Sequence, residues 1–190
     1  MICKRTAVAR DCEFLTREID GKRYIEGYFA VFGGEYKLWD DAIETIDPGA
    51  FDLAADTDVR VLVNHDTTLV LGRTTAGTAT LRVDERGLWG SVEINEADQD
   101  AVNAYERVKR RDVTQCSFGF DILTEARELR DDGVTVWHLQ RVRLYEVSVC
   151  TFPAYEETGV QARKAELADV ARRRREAWAA EQRERLHGKK

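Results

Sequence analysis

Residues 136–150 read VWHLQRVRLYEVSVC, a run in which apolar and polar side chains largely alternate and no Gly, Pro or Asn intervenes. Successive side chains of an extended chain point to opposite faces, so this alternation predicts one long strand, straight or bent, with a buried face. Glu146 stands out in it, flanked by Tyr145 and Val147. A carboxylate in a largely buried strand is costly unless it is paired or hydrogen-bonded.

Shorter runs of the same character lie upstream. RYIEGYFAVF (23–32), VRVLVNH (59–65), LVLGR (69–73), GTATLRV (77–83) and GLWGSVEI (87–94) are rich in aromatic and β-branched residues. Their lengths and their Gly, Asp and Asn punctuation predict strands rather than helices. DERG (84–87) reads as a hairpin turn, with alternation resuming on both sides. In QCSFGF (115–120), Cys116, Phe118 and Phe120 fall on one face and Ser117 and Gly119 on the other. Helix is predicted in two places. EADQDAVNAYERVKRR (96–111) sets Ala101, Ala104, Tyr105 and Val108 near helical spacing, with acids early and bases late. Residues 164–186 are rich in Ala, Arg, Glu and Leu and contain no Pro or Gly. DPGAFD (47–52) predicts a turn leading into a short helical segment. Many strands with one or two helices place the chain in a β-rich α+β class or a barrel.

The chain has 190 residues, enough for one domain with an appendage, drawn here as a domain at 1–160 and a basic helical tail at 161–190. Two prolines and no Ser/Gly-rich tract argue against a long internal linker. The net charge of −6 hides an asymmetry. Residues 164–190 hold nine Lys/Arg against five Asp/Glu, a local +4, leaving residues 1–163 at 20 Lys/Arg against 30 Asp/Glu, a net −10. A body so acidic lacks the basic field that nucleic-acid phosphates require, although the tail could meet an acidic partner. Cys3, Cys12, Cys116 and Cys150 show no zinc-type spacing, so no metal is expected. No stretch has the length of a signal peptide's apolar run or of a membrane span, so free thiols in a reducing cytoplasm are expected.

A serine becomes a nucleophile only with a base, a group orienting that base and donors for the oxyanion. Ser117 is the candidate nucleophile, with Gly119 behind it leaving room for another backbone. Position 115 is Gln, so this is not the GxSxG elbow. His65 ends an apolar strand, where its ring can emerge into a cleft, and an ordinary pKa of about 6.5 suits a general base. Glu146 could hold the second ring nitrogen of His65, or form a salt bridge with Arg141 or Arg143. His138 shares the face of Glu146 if no bulge intervenes and is the other candidate for that role. His187 belongs to the polar tail. Cys116 is a rival nucleophile, but its alternation turns it toward the core, where a thiol is usually inert. From these residues alone, an exposed strand serine and a histidine satisfied in a loop remain open readings.

Five pieces in order, IEGYFAVF (25–32), ETIDPGAFD (44–52), VNHD (63–66), QCSFGF (115–120) and LYEVSVCTFPA (144–154), resemble the prohead maturation proteases of tailed bacteriophages. The resemblance spans about residues 20–160. It implies a serine endopeptidase related in fold to the herpesvirus assemblins, with a β-barrel core surrounded by helices and no cofactor. By the family pattern His65 is the base, Ser117 the nucleophile and Glu146 the third member. Assemblins use a second histidine there, which keeps His138 as the alternative, and their arginine-bearing loop points to backbone N–H groups near Arg141 to Arg143 as oxyanion donors. The implied substrates are scaffold protein or the scaffold-like segment of the major capsid protein precursor, and the protease itself, cut inside the procapsid in the host cytoplasm. Self-association is left open, as is a docking role for the basic tail. A non-catalytic capsid- or scaffold-binding module of the same fold is the alternative function, and a cysteine hydrolase using Cys116 is a third.

Overall fold

The alternation at 136–150 is realised as the strand around which one of two sheets is built. The computed structural model of the chain describes residues 3–5 and 14–152 and, beyond them, residues 168, 172, 173, 175, 176 and 178. Among these the elements are β1 (Cys3–Arg5), β2 (Leu15–Ile19), β3 (Lys22–Val31), β4 (Tyr36–Trp39), β5 (Ala42–Ile46), β6 (Arg60–Val63), β7 (Asp66–Arg73), a 3-10 turn (Thr74–Ala76), β8 (Ala79–Val83), β9 (Gly87–Glu93), α1 (Gln99–Lys109), β10 (Gln115–Leu129) and β11 (Thr135–Cys150). β10 and β11 form a long antiparallel hairpin, with β1 on the outer edge of β10. The other edge of β11 is shared by two parallel partners. Its start, residues 135–139, pairs with β5, and its end, residues 146–149, pairs with β6. β4 extends β5, and β7 extends β6. The second sheet is antiparallel in the order β2-β3-β9-β8.

Between its two parallel partners β11 would expose unpaired amides, and buried backbone groups rarely stay unpaired. The chain at 47–59 supplies what is missing: Val142 N–H donates to the Ala50 carbonyl at 3.0 Å, and Leu144 N–H to Asp56 Oδ2 at 2.9 Å. In the same interval the β10–β11 register slips three times. Leu123 on β10 and Gln140 and Tyr145 on β11 have no cross-strand partner, so the long strand bends.

One core joins the inner faces of both sheets with the apolar side of α1. Ile25, Phe29, Leu88 and Val92 come from the second sheet, Phe118, Phe120, Leu139 and Val147 from the first, and Ala101, Ala104, Tyr105 and Val108 from α1. The ring of Phe118 stacks on Phe120 at 4.8 Å and meets Phe51 edge-on at 5.5 Å. α1 forms where its pattern predicts, and the Asp98 carboxylate caps it by accepting from Asp100 and Ala101 N–H.

The structure corrects three expectations. The barrel is not formed: among the described residues β4, β7, β2 and β8 each pair along one edge only, and closure requires every edge to be paired. The protein is β-rich, with two open sheets and a single described helix in the body. The helical segment after DPGAFD stops at one turn, in which the Asp52 carbonyl accepts from Ala55 and Asp56 N–H. At the end of that turn the Asp56 carboxylate accepts from Leu144 N–H on the β11 edge. Third, VRVLVNH is not strand to its end, since β6 stops at Val63. The pairing of β4 with β5 and the reach of β10 to Leu129 were not legible in the alternation.

The chain divides into two compact units, Met1–Tyr155 and Glu156–Lys190. In the second, the described residues are helical, and Arg172 Nη1 pairs with Glu176 Oε1 one turn on at 3.3 Å. The rest of the helix predicted at 164–186 lies outside the described residues, as does Cys12. Truncating Phe118, 2% exposed at the centre of the aromatic cluster, removes packing from both sheets. Phe118→Ala is expected to lower unfolding free energy by about 3–5 kcal/mol, read as a lower urea midpoint with an unchanged slope.

Candidate active site

The strand that carries VNHD reverses at once. Val63 pairs with Asp66, and the two residues between them, Asn64 and His65, both have positive φ, 52° and 60°. Two such residues make the primed turn that suits a tight hairpin, although a bulky side chain seldom adopts that backbone. Three hydrogen bonds to the end of β11 hold it there. Asn64 N–H donates to the Val149 carbonyl at 3.0 Å, Asn64 Oδ1 accepts from Thr151 N–H at 2.9 Å, and His65 N–H donates to Ser148 Oγ at 3.1 Å. At the open end of the hairpin, Arg73 grips Asp58 with two bonds of 2.6 and 2.8 Å. That guanidinium holds the Asp58 carboxyl well below the usual range, but the pair is exposed and adds little stability.

Below the turn, the β10–β11 register sets three rungs side by side: Gln115 opposite Cys150, Ser117 opposite Ser148 and Gly119 opposite Glu146. Paired residues of an antiparallel ladder project to the same face. This face therefore carries Ser117, Ser148 and Glu146, while Cys116, Phe118 and Val147 face the core. His65 Nδ1 lies 2.6 Å from Glu146 Oε1, and Ser148 Oγ donates to Glu146 Oε2 at 2.6 Å. Both oxygens of the carboxylate are thus used, so the salt bridge to Arg141 or Arg143 is not the pairing it adopts. The group is enclosed: Ser117 and Ser148 are 0% exposed, Glu146 7% and His65 8%.

A carboxylate only accepts, so Nδ1 carries the proton in this bond and Nε2 is the acceptor nitrogen of the ring. Nε2 is buried and has no hydrogen-bond partner among the described residues, so the ring is not bonded to Ser117 in this conformation. Bonds between nucleophile and base are often long before substrate docks. Gly119 has a different task from the one its spacing suggests. A Cβ there would collide with Glu146 Oε1, so the glycine makes room for a side-chain carboxylate rather than for a neighbouring backbone.

The remaining candidates lie elsewhere. His138 is opposite Ala126, and its two nitrogens face Asp47 Oδ1 at 3.3 Å and Glu128 Oε2 at 3.4 Å. Six ladder rungs, about 20 Å at 3.3 Å per residue, separate it from Glu146. The two bulges at Gln140 and Tyr145 cancel and leave both on one face, but His138 is too far along the strand to join His65. Residues 141–143 are not a loop. They pair with Thr124, Ile122 and Asp121, four or more positions along β10 from Ser117, or about 13 Å at 3.3 Å per residue. The N–H of Val142 is already bonded to Ala50. Cys116 turns to the core and donates its thiol to the Phe29 carbonyl at 3.3 Å. Among the described residues no group of three or more His, Cys, Asp or Glu is placed to hold a metal ion. Sequence reading overlooked Ser148. Its position two residues after Glu146 on an alternating strand puts both on one face, and that was the available signal.

Two outcomes test this geometry. Gly119→Ala is expected to keep the fold but displace the carboxylate, so the low-field Nδ1 proton resonance of His65 disappears from the NMR spectrum. Burial first, and then the Glu146 carboxylate, push the Cys150 thiol up to about 12. Iodoacetamide at pH 8 should therefore leave Cys116 and Cys150 unmodified in the native chain and alkylate both in urea, as read by mass spectrometry.

The chain is 31% identical over 151 residues to the prohead protease of Enterobacteria phage HK97, a match covering 77% of this chain and 63% of that protein. The chain thus spans less than two thirds of the length of that relative. No solved structure matches it. Residues 11–173 match the family described as caudovirus prohead serine protease, and the chain belongs to that family.

Proposed function

We propose that the chain is a serine endopeptidase of procapsid maturation in which Ser117 is the nucleophile, His65 the general base and Glu146 the group that orients it. The observation that carries this reading is the 2.6 Å bond from His65 Nδ1 to Glu146, made beside Ser117 on one buried face. Ser117 Oγ bonds to the scissile carbonyl carbon as its proton moves to His65 Nε2. The same proton leaves with the amine when the C–N bond breaks. A water deprotonated by Nε2 then cleaves the acyl ester and restores the serine. Glu146 keeps the imidazole in the productive tautomer and stabilises it when charged. Because Ser117 is fully covered, the atoms over it move aside when a peptide docks.

The reading extends to the substrates: scaffold protein or the scaffold-like segment of the capsid protein precursor, together with the protease itself. It places the reaction inside the procapsid, and it gives the basic C-terminal stretch an acidic scaffold surface to meet. Kinship in fold with the herpesvirus assemblins belongs to the same proposal, with a carboxylate standing where they carry a second histidine.

The test is processing of the capsid precursor, followed by intact mass. Ser117→Ala and His65→Ala should each lower turnover by about 10⁴-fold or more, and Glu146→Gln by roughly 10⁴-fold through the wrong tautomer. His138→Ala should stay close to wild type. Processing by Ser117→Ala at the wild-type rate would overturn the assignment and favour a non-catalytic capsid-binding module.

A further inference from the structure

We propose that Ser148 is a positioning residue for this site, a single hydroxyl that fixes both the backbone of His65 and the carboxylate of Glu146; the proposal rests on the catalytic reading above. A hydroxyl has one proton and two lone pairs. Here the proton goes to Glu146 Oε2 at 2.6 Å, and one lone pair takes the His65 N–H at 3.1 Å. The two groups so joined are themselves bonded through Nδ1 and Oε1 at 2.6 Å. The result is a closed ring of three hydrogen bonds among side chains and backbone that are 83 and 2 residues apart in sequence.

Each bond removes a specific freedom. A carboxylate held by one oxygen can rotate about its Cγ–Cδ bond, and with its second oxygen held by Ser148 that rotation stops. A histidine at positive φ has few intrinsic reasons to stay there, and the bond from its N–H to Ser148 fastens it. The ring of His65 is thereby aimed from both its backbone and its Nδ1 side, leaving only Nε2 for the reaction. The bonding also separates Ser148 from the nucleophile's role. Its proton is directed to Glu146, and it sits on the Nδ1 side of the ring, whereas Nε2 is the acceptor a nucleophile needs. Ser148 is 0% exposed, so no solvent replaces the lost bonds when the hydroxyl is removed.

The experiment is a double-mutant cycle in the full chain, with precursor processing as the readout. Ser148→Ala is expected to lower kcat by about ten- to a hundredfold, the range found for partners that orient a reacting group from behind. KM should change by less than about twofold, as befits a group acting on the transition state. In a Glu146→Gln background the same substitution should have little further effect, and Ser148→Thr should restore most of the loss. Where Ser148→Ala does not fold, Ser148→Cys, which keeps the volume and weakens both bonds, is read in the same cycle. Unchanged kcat, equal losses in both backgrounds, or a loss as deep as that of Ser117→Ala would each overturn the proposal. A measurement without turnover separates it from the catalytic reading. In a Ser117→Ala chain, adding Ser148→Ala should shift the His65 Nδ1 proton resonance even if Ser117 proves not to be the nucleophile, and an unmoved resonance would sink the positioning role alone.

Discussion

A carboxylate in the middle of a buried strand has to be satisfied on both oxygens, and the site is organised around how Glu146 meets that demand. His65 takes one oxygen and Ser148 the other, each at 2.6 Å. Leaving a buried polar group unsatisfied typically costs about 1–3 kcal/mol, and more when the group is charged, so the neighbours of Glu146 are constrained by stability as well as by chemistry. Gly119 is constrained for the same reason, because the opposite rung must be empty of a side chain for the carboxylate to lie there. The imidazole of His65 is thus fixed by the same contact that satisfies the buried carboxylate.

That contact exists only because β11 divides its free edge. Residues 135–139 pair with β5 and residues 146–149 with β6, and the VNHD turn is delivered to the end of β11 by the second pairing. The gap between the two partners is filled by the chain at 47–59, whose Ala50 carbonyl and Asp56 carboxylate take the amides of Val142 and Leu144. Six ladder rungs, about 20 Å, separate His138 from Glu146, so His138 meets Asp47 and Glu128 while Glu146 meets His65. One strand therefore carries two histidine–carboxylate groupings on the same face but with separate surroundings.

The thiols show how environment selects among nucleophiles. Cys116 is next to Ser117 in sequence but on the opposite face of the strand, bonded to a backbone carbonyl in the core. Cys150 shares the face of Ser148, yet burial and the Glu146 charge hold it in the protonated form. The same carboxylate that holds the imidazole of His65 disfavours a thiolate beside it. Neither thiol is therefore placed as a nucleophile, and the chain belongs to a family of serine proteases.

Much of this was written locally. Alternation in 136–150 and 115–120 determined that both are strands and that Ser117 and Cys116 face opposite ways, and helical spacing determined α1. The residue types needed for acid–base chemistry, His65, Ser117 and Glu146, were likewise visible, and the resemblance of their surrounding motifs assigned them roles. What no local pattern held was convergence. His65 and Glu146 are 81 residues apart, and their meeting depends on a parallel pairing and a turn with two positive φ angles. The roles of Ser148 and Gly119 were hidden for the same reason, as was the failure of the sheets to close. Side-chain direction along a strand is a property of neighbouring dihedral angles, whereas register between strands is settled by whichever long-range arrangement leaves the fewest buried polar groups unpaired.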